Sequence, residues 1–423
     1  MDFLSHIASI PGIDAEAFAS AMREPPAVSV KLNRRKCVDP EKLGYGALDP
    51  VAWCRSGYYL DERPKFTLNP LLHAGAFYVQ DASSMIHESI VSTILRRFGL
   101  PESPLVLDLC AAPGGKTTSM INALPDDAVV VANEVVPRRA AILRENILKW
   151  GFRGSVVTGS RTSDIASLGE TFDLIAVDAP CSGEGMMRKD PDAVAQWGPG
   201  LIRQCAALQR EILTDACAAL NPGGFLIYST CTFNRDENED NLAWAVENLG
   251  LEVIDMEMPA EWGIGASLEP TLPALRFMPH LTRGEGLFAA LLRKPGAIPG
   301  AQRRKQLERI RKKLRILADI PAMLEDAPTP AARPKASQRK EKEPRPDAAL
   351  PLCTSCPADA WPRAELSLDD ALSYLRHEAV RLAPDVPKGF VVVTFSGFPL
   401  GFVKNIGNRA NNLYPAEWRI RNL

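Results

Sequence analysis

From residue 104 the chain alternates short apolar runs with helix-length amphipathic ones, and this alternation constrains its fold more than any other feature. Leu105-Val106-Leu107-Asp108-Leu109 is a short strand, followed by a glycine-rich turn and a helix from about Lys116. Ala128–Ala132, Ser155–Thr158, Phe172–Val177 and Gly224–Ser229 are further strands, with helices expected over Pro137–Trp150 and about Leu201–Leu220. Short strands separated by helical segments predict an α/β fold with a mostly parallel, doubly wound sheet. Leu287–Leu292 is expected to close that sheet. A helix over 236–248 is expected to open on Asp236-Glu237-Asn238-Glu239, acidic residues that suit a helix N-terminus.

The flanks differ in character. Residues 1–92 form an N-terminal region with two opening helices, a strand at Val28–Leu32 and a helix near Met85–Phe98. Residues 93–298 hold the α/β alternation. Residues 299–349 are a basic helix and a Pro/Lys/Arg/Glu stretch with the composition of a linker. Residues 350–423 resume globular character, with strands at Gly389–Thr394 and Leu400–Lys404. No run of about 18 apolar residues is present, so no membrane span is expected. Nine cysteines at irregular spacing argue for a reducing compartment, and with no signal-peptide pattern at Met1-Asp2-Phe3-Leu4 the expectation is cytoplasmic. Cys353-x-x-Cys356 is half of a metal site with no second pair, so no metal is expected. The net charge of −2 means that any nucleic-acid contact must rest on local patches. Two exist: Lys31, Arg34, Arg35 and Lys36, and the run from Arg303 to Arg315, opposed only by Glu308. The latter reads equally as a phosphate contact or a solvated helix.

The turn Cys110-Ala111-Ala112-Pro113-Gly114-Gly115-Lys116 sits where α/β proteins bind nucleotides. Two phosphate-binding readings fail. The G-x-G-x-x-G fingerprint is absent, and a P-loop would require glycine where Cys110 stands. Glu134 follows the second strand, where a carboxylate can accept ribose hydroxyls. Cys181, in Asp178-Ala179-Pro180-Cys181, and Cys231, in Ser229-Thr230-Cys231, each follow a strand-like run, the placement of a candidate nucleophile. Cys37, Cys54, Cys205 and Cys217 read as buried small hydrophobes.

The turn and the two cysteines together resemble the RNA cytosine-C5 methyltransferases that use S-adenosylmethionine, in particular their bacterial small-subunit rRNA branch. The likeness extends over nearly the whole chain, through Lys31-Leu32-Asn33, Tyr78-Val79-Gln80-Asp81, Arg276-x-x-Pro279-His280 and Gly284-Glu285-Gly286-Leu287-Phe288. Pro399–Lys404 and Asn411–Pro415 look like that branch's PUA-like domain. The resemblance implies a Rossmann-like class I methyltransferase core, an N-terminal RNA-recognition region and a small α+β PUA-like domain. It implies cofactor contacts from Cys110 to Lys116 and from Glu134, Arg139 and Asp178. After the third strand the family carries an acidic or amide residue; here Ser160 is the positional match and Asp164 the nearest carboxylate.

The same resemblance makes Cys231 the nucleophile toward C6 of cytosine and gives Cys181 a part in product release. Asp178 is the natural donor, as a buried carboxylic acid, for charge developing toward N3. Lys189, in the loop Gly183–Pro191, is placed to meet the base or a phosphate. The implied partner is RNA, small-subunit rRNA foremost. DNA enzymes attack from the earlier Pro-Cys motif, so a chain carrying both cysteines points away from DNA. The same chemistry on tRNA stays open, as does an RNA-binding assembly factor without catalysis.

Overall fold

The computed structural model describes residues 3–300, 303–325 and 345–421. Helices α1 (Phe3–Ala8) and α2 (Ala15–Ala21) open the chain, and the Asp14 side chain caps α2 by accepting from the amides of Glu16 and Ala17. Strands β1 (Val28–Leu32), β2 (Asp49–Pro50), β3 (Gly57–Leu60) and β4 (Phe77–Val79) form an antiparallel sheet in the order β2-β3-β1-β4, with α3 (Pro70–His73) preceding β4. Helix α4 (Ile86–Arg97) then turns Ile86, Ile90, Val91 and Ile94 toward one face, the spacing of a core-facing helix. These residues share one apolar layer with Val106 and Val130 of the central sheet. The expected boundary at residue 92 therefore falls inside α4, which belongs to the core it covers.

The core runs β5 (Leu105–Asp108), α5 (Gly115–Ala123), β6 (Val129–Asn133), α6 (Pro137–Trp150), β7 (Ser155–Thr158), α7 (Thr162–Ala166) and β8 (Phe172–Asp178). It continues through α8 (Pro191–Gln196), α9 (Pro199–Ala219), β9 (Leu220–Thr230), α10 (Glu239–Leu249), β10 (Glu252–Ile254), β11 (Gly265–Ala266), β12 (Leu275–Phe277) and β13 (Leu287–Arg293). Leu105 and Leu107 of β5 face one apolar layer and Val106 the other, the period of a strand buried on both sides. Strand β5 lies between β6 and β8, so the winding reverses there and opens a crevice at the C-terminal strand ends.

Three expectations change. The sheet has ten strands, and only β5 to β9 run parallel. Strand β13 does not close it, because β12 and β11 extend the sheet beyond β13. Helix α10 starts at Glu239, because Glu237 and Asn238 are buried and their side chains bind neighbouring loops.

Helix α11 (Arg303–Lys313), strand β14 (Ile316–Asp319) and helix α12 (Ile320–Glu325) also join the core, with β14 antiparallel to β7 at the far edge. The segment expected as a linker is thus built into the sheet up to residue 325, and the stretch from 326 to 344 lies outside the described residues. Strand β15 (Arg363–Glu365), helix α13 (Leu368–Leu375) and strands β16 (Gly389–Phe395), β17 (Phe398–Asn405) and β18 (Ala410–Asn412) form the C-terminal α+β unit. Its Tyr374, Leu375 and Val403 share an apolar cluster with Leu143 and Ile147 of α6. No described helix is long and apolar enough to cross a membrane.

Candidate active site

The crevice at β5 begins with Asp108, which is fully buried. Its Oδ2 accepts from Thr117 Oγ1 at 2.6 Å, while Oδ1 has no hydrogen-bond partner among the described residues. Burial pushes this carboxyl up to about 7. Gly114 turns the chain at φ +110°, a conformation that favours glycine, and α5 starts at the next residue. The Pro113 carbonyl accepts from Asn146 Nδ2 at 2.8 Å and from Tyr78 Oη at 3.3 Å, so the turn is held from both α6 and the N-terminal sheet. Burial pushes the Cys110 thiol far up, the condition of an inert cysteine.

Glu134 follows β6 and is buried. Its Oε1 accepts from the Val136 amide at 2.9 Å. Its Oε2 lies 3.3 Å from Arg139 Nη1 without a hydrogen bond. An acceptor left without a donor beside this turn fits a cofactor that brings hydroxyl groups. Arg139 also donates to the Ala112 carbonyl at 3.0 Å, bracing Glu134 against the turn. Ser160 Oγ accepts from the Arg315 amide at 2.9 Å, which ties it to the segment entering β14. Asp164 accepts from the Arg161 amide at the start of α7.

Asp178 ends β8. Its Oδ2 accepts from Lys116 Nζ at 2.7 Å and its Oδ1 from Ser229 Oγ at 3.0 Å. Burial works against the Lys116 charge, but Asp178 outweighs it and holds the ammonium above its ordinary range. The expectation of Asp178 as a buried carboxylic acid changes accordingly. Asp178 is half-buried and accepts from both Lys116 and Ser229, so Lys116 is the hydrogen-bond donor of the pair. His87 of α4 reaches the same network, its Nε2 3.4 Å from Ser229 Oγ.

Cys181 and Cys231 meet at the ends of adjacent strands, with 3.0 Å between their sulfurs and the Cys231 amide donating to Cys181 Sγ at 3.4 Å. Both are free thiols. The hydrogen bond with Cys231 and burial together push Cys181 well above the ordinary thiol range. Two buried carboxylates hold the pair. Glu184, on the Cys181 loop, accepts from Thr232 Oγ1 at 2.5 Å, the Phe233 amide at 2.6 Å and the Asn234 amide at 2.9 Å on the Cys231 loop. Glu237, on the Cys231 side, accepts from the Ser182 amide at 3.0 Å and from Gln209 Nε2 at 2.7 Å. Each loop thus carries the carboxylate that grips the other. The Gly185 amide adds a hydrogen bond to the Cys231 carbonyl at 2.8 Å, and a Cβ on Gly185 would stand 2.9 Å from that carbonyl, leaving no room for a side chain.

Lys189 lies 3.3 Å from Glu285 and 3.7 Å from Asp81, and Arg188 forks onto Glu285 at 2.7 and 3.0 Å. Lys189 is therefore already engaged by two carboxylates. Both basic patches turn inward to a large extent. Lys31 and Lys36 donate to buried oxygens, and Arg35 donates to the carbonyls of Ile121 and Leu124. On α11, Arg303 pairs with Asp173, Arg311 with Asp319, and Arg309 and Lys313 donate to backbone carbonyls of the core. Sequence reasoning missed Glu184, Glu237, Ser229 and His87. Glu237 carried a misleading signal, since an acid ahead of a helix reads as a dipole partner; Glu184 carried only its closeness to Cys181.

Comparisons with known proteins agree with this architecture along the chain. A family model described as 16S rRNA methyltransferase RsmB/F matches residues 99–293. The N-terminal domain of 16S rRNA methyltransferase RsmF matches residues 1–82, and the methyltransferase RsmF PUA domain matches 362–420. Ribosomal RNA small subunit methyltransferase F of Citrobacter koseri is 32% identical, with 95% of this chain and 92% of that protein covered. The protein of the same description from Salmonella agona is 31% identical at the same coverage. Among solved structures, a methyltransferase homolog protein from Pyrococcus horikoshii is 29% identical with a TM-score of 0.56, covering 67% of this chain and 92% of that one. NSun6 from Pyrococcus horikoshii, solved with SFG, shares the fold at 19% identity and a TM-score of 0.58, over 70% of this chain and 98% of that one.

Proposed function

The chain belongs to the 16S rRNA methyltransferase RsmB/F family of S-adenosylmethionine-dependent enzymes, and on that premise we propose that it methylates carbon 5 of a cytosine in small-subunit rRNA. The observation that carries this reading is the pair of thiols 3.0 Å apart at the ends of β8 and β9, beside the Lys116–Asp178 ion pair.

Carbon 5 of cytosine is a poor nucleophile until a nucleophile adds at C6. Cys231 is the attacking thiol. Cys181, kept protonated, donates its S–H toward the Cys231 sulfur and favours the thiolate there. The Lys116 ammonium interacts electrostatically with Cys231 and adds to that effect. As the Cys231–C6 bond forms, negative charge develops toward N3. Lys116 then acts as the donor and Asp178 as the acceptor that orients it. Bound at the turn and Glu134, S-adenosylmethionine supplies the methyl group. Afterwards a base removes the C5 proton and the C6–sulfur bond breaks. Cys181 assists that release with the proton it holds. The target base must leave its stack to reach the crevice. The C-terminal unit docks the RNA.

The direct test is bisulfite sequencing of 16S rRNA from cells with and without the gene. One cytosine should lose its protection in the deletion strain and regain it with the wild-type gene. Unchanged protection throughout the rRNA would overturn the assignment.

A further inference from the structure

Lys31 is fully buried in β1, and its ammonium has four acceptors. They are Gln80 Oε1 at 2.7 Å, the Gly115 carbonyl at 2.8 Å, Thr118 Oγ1 at 2.9 Å and Ser119 Oγ at 2.6 Å. Three of these belong to the first turns of α5, the helix that follows the cofactor turn. The rings of Tyr78 and Trp150 face the same ammonium at 5.8 and 5.5 Å. Burial pulls Lys31 down to about 7, partly countered by Cys54 and Glu88. Among the described residues no carboxylate oxygen contacts it.

This placement runs against the usual preference, because cations favour helix C-termini and the N-terminus already carries positive potential. A buried cation behind the start of α5 adds to that potential, which suits an anion in front of the turn. The sheet order indicates which one. If ribose binds Glu134 on β6 and the methyl group is delivered toward the thiols beyond β8, the amino-acid end would lie over β5, the strand between them, and its turn.

We propose that Lys31 is a positioning residue for the cofactor: it holds Gly115 and the start of α5 from behind, and its charge favours the carboxylate of the methionine moiety. The N-terminal region thereby forms part of the cofactor site. The proposal rests on the proposed function, in which the cofactor binds at Glu134 and faces the two thiols.

Calorimetry on the full chain separates charge from packing. Two probes serve: S-adenosylhomocysteine, which keeps the carboxylate, and 5′-methylthioadenosine, which lacks the amino-acid end. Lys31→Met should weaken S-adenosylhomocysteine about tenfold or more and leave 5′-methylthioadenosine within about threefold. Lys31→Arg should retain most of the S-adenosylhomocysteine affinity. If Lys31→Met does not fold, Gln80→Glu sets a carboxylate beside the ammonium and cancels its charge in place; the same selective loss is expected. Unchanged S-adenosylhomocysteine binding in these variants, or an equal loss of both probes, would overturn the proposal. Failure of the wild type to bind S-adenosylhomocysteine would instead overturn the cofactor reading.

Discussion

Cys181 Sγ lies 3.0 Å from Cys231 Sγ and also accepts the Cys231 amide, so one thiol is solvated by the residue that carries the other. The Cys231 hydrogen bond and burial push the Cys181 thiol well above its ordinary range, which supports the proposal that Cys231 is the attacking sulfur. Cys231→Ala should abolish methylation and fail to trap RNA containing 5-fluorocytosine. Cys181→Ala should accumulate a protein–RNA adduct on denaturing gels, because addition still occurs while release is slowed. An adduct from Cys231→Ala would move the nucleophile to Cys181.

The sulfur spacing depends on the reciprocal grip of Glu184 and Glu237. Burial raises Glu184, but hydrogen bonds from His6, Thr232, Phe233 and Trp197 outweigh it and hold the carboxyl below its ordinary range. Glu184→Ala leaves several buried donors without an acceptor, which costs about 1–3 kcal/mol each. Thermal melting should show a large destabilisation. Glu184→Gln keeps an acceptor and should fold, with kcat down roughly tenfold and S-adenosylhomocysteine affinity unchanged. If Glu184→Gln instead lost cofactor affinity at full kcat, the clamp would not act on the cysteines.

The inward turn of both basic patches redirects the search for the RNA surface. On the C-terminal unit Lys388, Lys404 and Arg409 are all exposed, with Lys404 over the Phe390 ring at 5.0 Å. Replacing the three by alanine should weaken RNA binding and reduce the salt slope by about 0.7–0.9 per lost phosphate contact. Replacing the exposed Lys305 and Lys312 of α11 should change the slope far less. The opposite ranking, measured by filter binding across salt concentrations, would return the phosphate contact to α11.

Strand and helix positions were legible in the sequence because period and punctuation are local. Helix α6 spans Pro137–Trp150 as expected, fixed by proline in its first turn and by Gly151 after its end. The turn, Glu134, Asp178 and the two cysteines were legible because they lie at strand ends, which α/β topology gathers on one edge. What was not legible depends on long-range pairing. The place of β14 beside β7 depends on a partner more than 150 residues away, so its segment looked like a linker. Charge runs misled for the same reason: a lysine such as Lys31 declares its partners only when Gln80 and Ser119 arrive beside it.

Two buried histidines set an acid limit on stability. Burial and the Lys149 charge lower His73 to about 3; burial and the Lys116 charge do the same for His87. In the unfolded chain a histidine titrates near 6.5. Between those values the unfolded state binds protons that the folded state refuses, so stability falls as pH drops from about 6.5 toward about 3. At pH 5 each residue should remove roughly 2 kcal/mol relative to neutral pH. Lys31 and Lys36, lowered to about 7, act in the same direction but above that window, and Asp108, raised to about 7, opposes it. The histidine share is isolated by urea unfolding at pH 7 and 5 of the wild type and of the His73→Gln/His87→Gln variant. The variant should be less stable at pH 7 yet lose less on acidification. An equal loss in both proteins would show that neither histidine is excluded from protonation in the folded state.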